Sequence, residues 1–248
     1  MRAMNAKSRK WLKVCILFLC IWVTAGCADR GLYITEVLHW KLMQHMKRKY
    51  FKAKDTFTIG AGGFDGTKYV LTMDSKKYDR SYPGRQIYVY YDVDKQEIRD
   101  NYMAFVLHDE IEEAYRPIFD AVYGEENYYF QFNIHSFLFS DPDYDWNTTV
   151  SDYLSTISDS QFTIVCKKDP QSKEEDVERV IQLVKEKGWG IDLIIYYVSE
   201  DVFAQVHDIQ SSAYIYKEHE LYRGSINFSR NHQEPAFELW SEGQGEKE

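Results

Sequence analysis

Basic charge, proline, paired cysteines and catalytic signatures are all scarce in this sequence, and each scarcity removes a class of protein. The chain has 30 Lys and Arg against 39 Asp and Glu, a formal charge of -9. So acidic a surface is repelled by phosphate backbones, which argues against a nucleic-acid partner. Five prolines and 13 glycines in 248 residues are too few for a collagen-like or linker-type chain. The longest uninterrupted apolar run, Val14 to Val23, has ten residues, whereas a membrane-spanning helix needs about 20. HExxH and GxSxG do not occur, and the glycines of GAGGFDG (60–66) fit neither GxGxxG nor a phosphate loop. What is present is a core-former's composition, 44% hydrophobic and 16% aromatic. It suits one large folded domain or two small ones.

The first 26 residues differ from the rest. They hold Arg2, Lys7, Arg9, Lys10 and Lys13 and no acid, followed by the short apolar run and Thr24-Ala25-Gly26-Cys27. A cationic start, a brief apolar stretch and small residues before a cut site are the pattern of an export signal. Ala25 and Gly26 directly before Cys27 resemble the bacterial lipobox, with Thr24 where that motif usually has Leu. The resemblance implies cleavage between Gly26 and Cys27 and acylation of Cys27 by chains such as palmitate, with Cys27 as the new first residue. Two acyl chains retain a protein stably where one is marginal. Cleavage would remove the five cations and leave 25 basic against 39 acidic residues. The sequence reads as lacking a basic patch, so the membrane is expected to be reached through the lipid alone. Only Cys27 and Cys166 would remain, so no intrachain disulfide is expected. Cys166 follows Phe162 and Ile164 on one strand face and reads as a buried thiol.

Residues 27–33 are then a tether. Apolar residues at Ile34, Val37, Leu38, Leu42 and Met46 predict a helix ending in Lys47-Arg48-Lys49, which suits its C-terminal dipole. Strands are predicted over 56–59, 67–73, 86–93, 128–139, 162–168, 191–198, 212–217 and 224–228, with GAGGFDG as a hairpin connection. Asp100 is read as the cap of a helix to Val122 that Pro117 kinks or divides. Thr149 is read as the cap of a short helix. Ser172 and Glu175 form a capping-box pattern for a helix closed by Gly188, and 200–208 reads as another short helix. This order predicts an α+β fold of two small lobes, with mostly antiparallel sheets packed on helices. The expected division is 34–140, then 141–240, then a flexible tail over 241–248.

The run DNYMAFVLHDEIEEAYRPIFDAVYGEENYYF (100–130) resembles a segment of uncharacterised lipoproteins of low-GC Gram-positive bacteria. Those proteins also carry an upstream helix ending near an aromatic pair, here Tyr50-Phe51. They have a later strand–helix–strand like the one over 162–198. The resemblance implies an extracytoplasmic α+β region and carries no site residues.

Three places could hold chemistry. Asp141, Asp143 and Asp145, with Asp152 beyond, echo the spacing of a calcium loop, although Trp146 stands where such loops need Gly. His108, Asp109, Glu110, Glu112 and Glu113 lie on one helix, where a solvated charged face is the simpler reading. Tyrosine is abundant at 20 residues, and Tyr78, Tyr82, Tyr88, Tyr90 and Tyr91 crowd one loop and strand. Aromatic surfaces with a polar tip suit sugar, peptide or protein recognition.

The sequence therefore predicts a membrane-anchored binding or interaction module on the outer side of the cell membrane, with no cofactor. Its expected partner is an envelope polysaccharide or protein. Two alternatives stand beside it: an envelope hydrolase using paired carboxylates, and a calcium-dependent adhesion domain using Asp141, Asp143 and Asp145.

Overall fold

The computed structural model describes residues 35–82, 85–134 and 144–230 and the backbone of 236–242. The predicted signal with Gly26 and Cys27, the tether, Asp141 and Asp143, the lobe boundary at 140/141 and the tail beyond 242 lie outside the described residues.

The fold is α+β. Helix α1 covers residues 35–49 and buries the stripe Leu38, Leu42 and Met46. Burying each such side chain contributes about 1.5–3 kcal/mol, enough to hold a helix with a strongly charged outer side. The chain then builds a four-stranded antiparallel meander, β1 (Phe57–Asp65), β2 (Lys68–Ser75), β3 (Ile87–Asp92) and β4 (Glu97–Asp100). GAGGFDG is mostly strand: β1 runs through residues 60–65, with a bulge between Ile59 and Gly62, and only Gly66 lies in the predicted hairpin turn. Glycine is required at 62, where a Cβ would stand 2.6 Å from the Tyr69 hydroxyl and 2.8 Å from His39 Nε2.

Two helices follow, α2 (Tyr102–Val106) and α3 (His108–Tyr123). The break falls at Leu107, and Pro117 sits inside a continuous α3. Pro117 and Glu113 are exposed, so the Glu113 carbonyl that proline leaves without a helical donor can bond water. Asp100 does not cap α2 in the predicted way. It ends β4 fully buried, and Asn101 takes the cap position.

The second sheet has order β5-β6-β7-β8-β9: β5 (Tyr128–Phe132), β6 (Ser160–Cys166), β7 (Ile191–Val198), β8 (Glu220–Phe228) and β9 (Ala236–Glu242). Among the described residues only β6 and β7 run parallel. Their crossover contains α5 (Lys173–Lys187), as a parallel pair requires a long connection. β5 belongs to this sheet, so its first strand comes from before residue 140.

Thr149 caps α4 (Val150–Leu154) as predicted, accepting from the Asp152 amide. The predicted box at Ser172 does not form. Asp169 instead caps a 3-10 turn over Pro170–Ser172, and the Ser172 hydroxyl lies on Asp169 and Asp176. Gly188 ends α5 in the left-handed conformation, φ +72°. The span 212–217, predicted as a strand, is helix α7 (Ala213–Glu218), following α6 (Glu200–Phe203). β4 and β9 were not predicted.

One buried cluster joins α1, the first sheet, α2, α3, α5 and one face of the second sheet. The opposite face of that sheet packs Val165, Tyr196 and Val198 against Phe203, Val206, Ile209 and Tyr216 of the α6–α7 region. Cys166 is buried as predicted, and burial pushes its thiol pKa up to about 12.

Candidate functional site

Tyr78 and Tyr82 stand on the connection between β2 and β3, and Asp55 fixes that connection. The Asp55 carboxylate accepts from the Lys77 amide at 3.0 Å, from the Tyr102 hydroxyl at 2.8 Å and from the Ser75 hydroxyl. Tyr78 and Tyr82 amides then fold back onto Ser75 and Tyr78, at 3.1 and 2.9 Å. This brings the loop against α2 and the start of α3.

A cleft of about 380 Å³ opens between them. Lys77, Tyr78 and Tyr82 form one wall; Phe105 and Val106 close the base; Asp109, Glu110 and Glu113 of α3 form the other wall. The volume falls in the range of small-molecule sites. The rings interlock, with Tyr78 6.0 Å and Tyr82 5.8 Å from Phe105 between centroids. The Lys77 ammonium lies 4.8 Å from the centre of the Tyr78 ring and 5.4 Å from that of Trp146. Burial, then Asp109, Glu112 and Glu110, push the Tyr82 hydroxyl pKa well above its ordinary value. The cleft thus combines aromatic faces with a negative field.

His108 leaves the predicted solvated face. It is only 7% exposed and sits between Tyr82 and Phe132, with ring centroids 4.5 and 5.6 Å away. Its Nδ1 is 3.1 Å from Asp109, and its Nε2 is 3.8 Å from Glu112. Glu112 also accepts the Phe132 amide at 2.9 Å, so it is committed to holding β5 on α3. His108 therefore props Tyr82 from beneath the cleft. Among the described residues no group of three His, Cys, Asp or Glu is placed to hold a metal ion.

Of the calcium-loop aspartates, Asp145 is described. It accepts the Asn147 amide at 2.7 Å, while Asp152 bonds the Thr149 hydroxyl at 2.6 Å. Both carboxylates thus close local turns. The five tyrosines of the crowded segment separate: Tyr78 and Tyr82 enter the cleft, Tyr88 stands opposite Thr72 of β2, and Tyr91 carries Lys41 at 3.8 Å. Tyr90 lines a second recess with Lys68, Asp92, Lys95, Glu97 and Arg99, of about 140 Å³. That volume is below the usual range for a ligand, and its charges offset one another.

Sequence reasoning missed Lys77, Phe105 and the organising Asp55. Asp55 bonds residues 20 and 47 positions away, and no spacing rule reaches that far. Comparison with protein-family models, with curated proteins and with solved structures finds no match.

Proposed function

We propose that the protein is a lipid-anchored extracytoplasmic module of the cell envelope that binds a ligand in the cleft between the Tyr78–Tyr82 loop and α3. The short apolar run ending in Ala25-Gly26-Cys27 supports the address. The observation that carries the binding role is the cleft, where Tyr78, Tyr82 and Phe105 face Asp109, Glu110 and Glu113. Aromatic faces bind sugar or amine ligands by stacking and cation–π attraction, and carboxylates fix their hydroxyls or ammonium groups.

Binding fits this geometry better than glycoside hydrolysis. Hydrolysis by paired carboxylates places them on either side of the scissile bond. All three acids of the cleft come from α3, and the opposite wall supplies Lys77 and two tyrosines.

The test compares the native chain with a Tyr78→Ala/Glu110→Gln/Glu113→Gln variant on isolated envelope polysaccharide and on envelope protein fractions. The reading predicts saturable binding by the native chain and a loss of at least tenfold in the variant, about 1.4 kcal/mol. Equal binding by both would remove the cleft as the site. Calcium titration separates the adhesion reading, because a specific ion must raise the melting temperature.

A further inference from the structure

The chain is acidic on average, but the charge of α1 and the turn after it runs the other way. Residues 35–54 hold Lys41, Lys47, Arg48, Lys49, Lys52 and Lys54 against the single acid Glu36. Lys49 is spent on the buried Asp100, at 3.0 Å. Lys47, Arg48, Lys52 and Lys54 are exposed. The same segment shows apolar groups to solvent: Val37, Trp40 at 66% exposure and Phe51 at 68%. The buried stripe Leu38, Leu42 and Met46 already accounts for the core contact of α1. The second, outward apolar set stands outside the core that the described residues form.

We infer that the outer face of α1, carrying Val37, Trp40, Lys47 and Arg48, together with the exposed Phe51 and Lys52 of the turn after it, rests on an anionic lipid bilayer. This inference rests on the lipid-anchor reading and deepens it. Eight residue steps separate Cys27 from Thr35, so the tether spans at most about 29 Å. An anchor that short holds the start of α1 within reach of the bilayer surface. Exposed tryptophan beside lysine and arginine is the composition of helices that lie in the lipid interface. Screening decides the charge question: beyond about 10 Å at 0.1 M salt the acidic body is largely hidden from the lipid, and the local cations act alone. The expectation that no basic patch exists therefore gives way at α1.

The test uses the full lipidated protein added to vesicles of phosphatidylcholine, with and without phosphatidylglycerol, some lipids carrying brominated acyl chains. Trp40 is one of four tryptophans from Cys27 onward. On anionic vesicles native emission should fall by about a quarter through contact of Trp40 with the bromine. The Trp40→Phe variant should show almost no quenching. Lys47→Gln/Arg48→Gln/Lys52→Gln should lose the quenching and still float with the vesicles, with unchanged circular dichroism. Flotation without Trp40-dependent quenching would overturn this orientation and leave the lipid anchor standing. Flotation on anionic vesicles alone, abolished by the triple variant, would support the face and remove the anchor. Flotation on neither vesicle would overturn both.

Discussion

Asp100 holds several segments together through one carboxylate. It accepts from Lys49 at 3.0 Å, from the Tyr50 hydroxyl at 2.7 Å and from the Tyr102 amide at 3.0 Å. These contacts join the end of α1 to the junction of β4 and α2. Burial alone would raise the Asp100 pKa; His45, Lys49 and Tyr50 outweigh it and hold it below the ordinary value. The contribution to stability is therefore present above the ordinary carboxylate pKa and is lost as pH falls through the depressed folded value. Asp100→Asn leaves Lys49 buried without its counter-charge and should cost about 3–5 kcal/mol in urea titrations at neutral pH. The same variant should show a shallower loss of stability in acid than the native chain. Cys166 gives a second residue-scale prediction. Its thiol is buried and its pKa is raised to about 12, so alkylating reagents at pH 7 should label Cys166 only after denaturation, as read by peptide mapping.

The elements that periodicity announced are those whose own spacing of apolar residues marks the buried face, wherever the partner lies. Helix α5 shows its inward Val177, Val180, Ile181 and Val184 at helical spacing, and Gly188 stops it. No atom stands within 4 Å of a Cβ built at Gly188, so the strain of Gly188→Ala is purely backbone, from φ +72°. Thermal or urea unfolding should find it about 1 kcal/mol less stable. The misread elements have causes outside their own span. Residues 213–218 alternate like a strand, yet Tyr216 is buried against Tyr196 while Tyr214 is 68% exposed. A strand would put both on one face; helical spacing puts them on opposite sides. The glycines of 60–63 looked like a turn because glycine has no side chain to show strand alternation, although β1 pairs with the neighbouring β2 through a tight turn at Gly66 and Thr67. The cleft was half legible. Tyr78 and Tyr82 stood out by composition, but their approach to α3 depends on Asp55 and Tyr102, far apart in the chain.

At the scale of the molecule, two sheets and their helices share one principal core, and the surface presents two different faces. One is the aromatic, acidic cleft; the other is the basic, tryptophan-bearing side of α1. On the proposed address, α1 lies at the bilayer and the cleft is left for a ligand of the envelope. Cys27→Ala should abolish lipid labelling and stop processing, so that the chain is released or mislocalised on cell fractionation. All of this depends on the covalent anchor, because a ten-residue apolar run is too short for a spanning helix. Intact-mass spectrometry of the protein purified from its native membrane tests the anchor most directly. The account predicts a chain that begins at Cys27 and carries the mass of a diacylglyceryl thioether. A chain that still begins at Met1, or one with a bare thiol at Cys27, would contradict it.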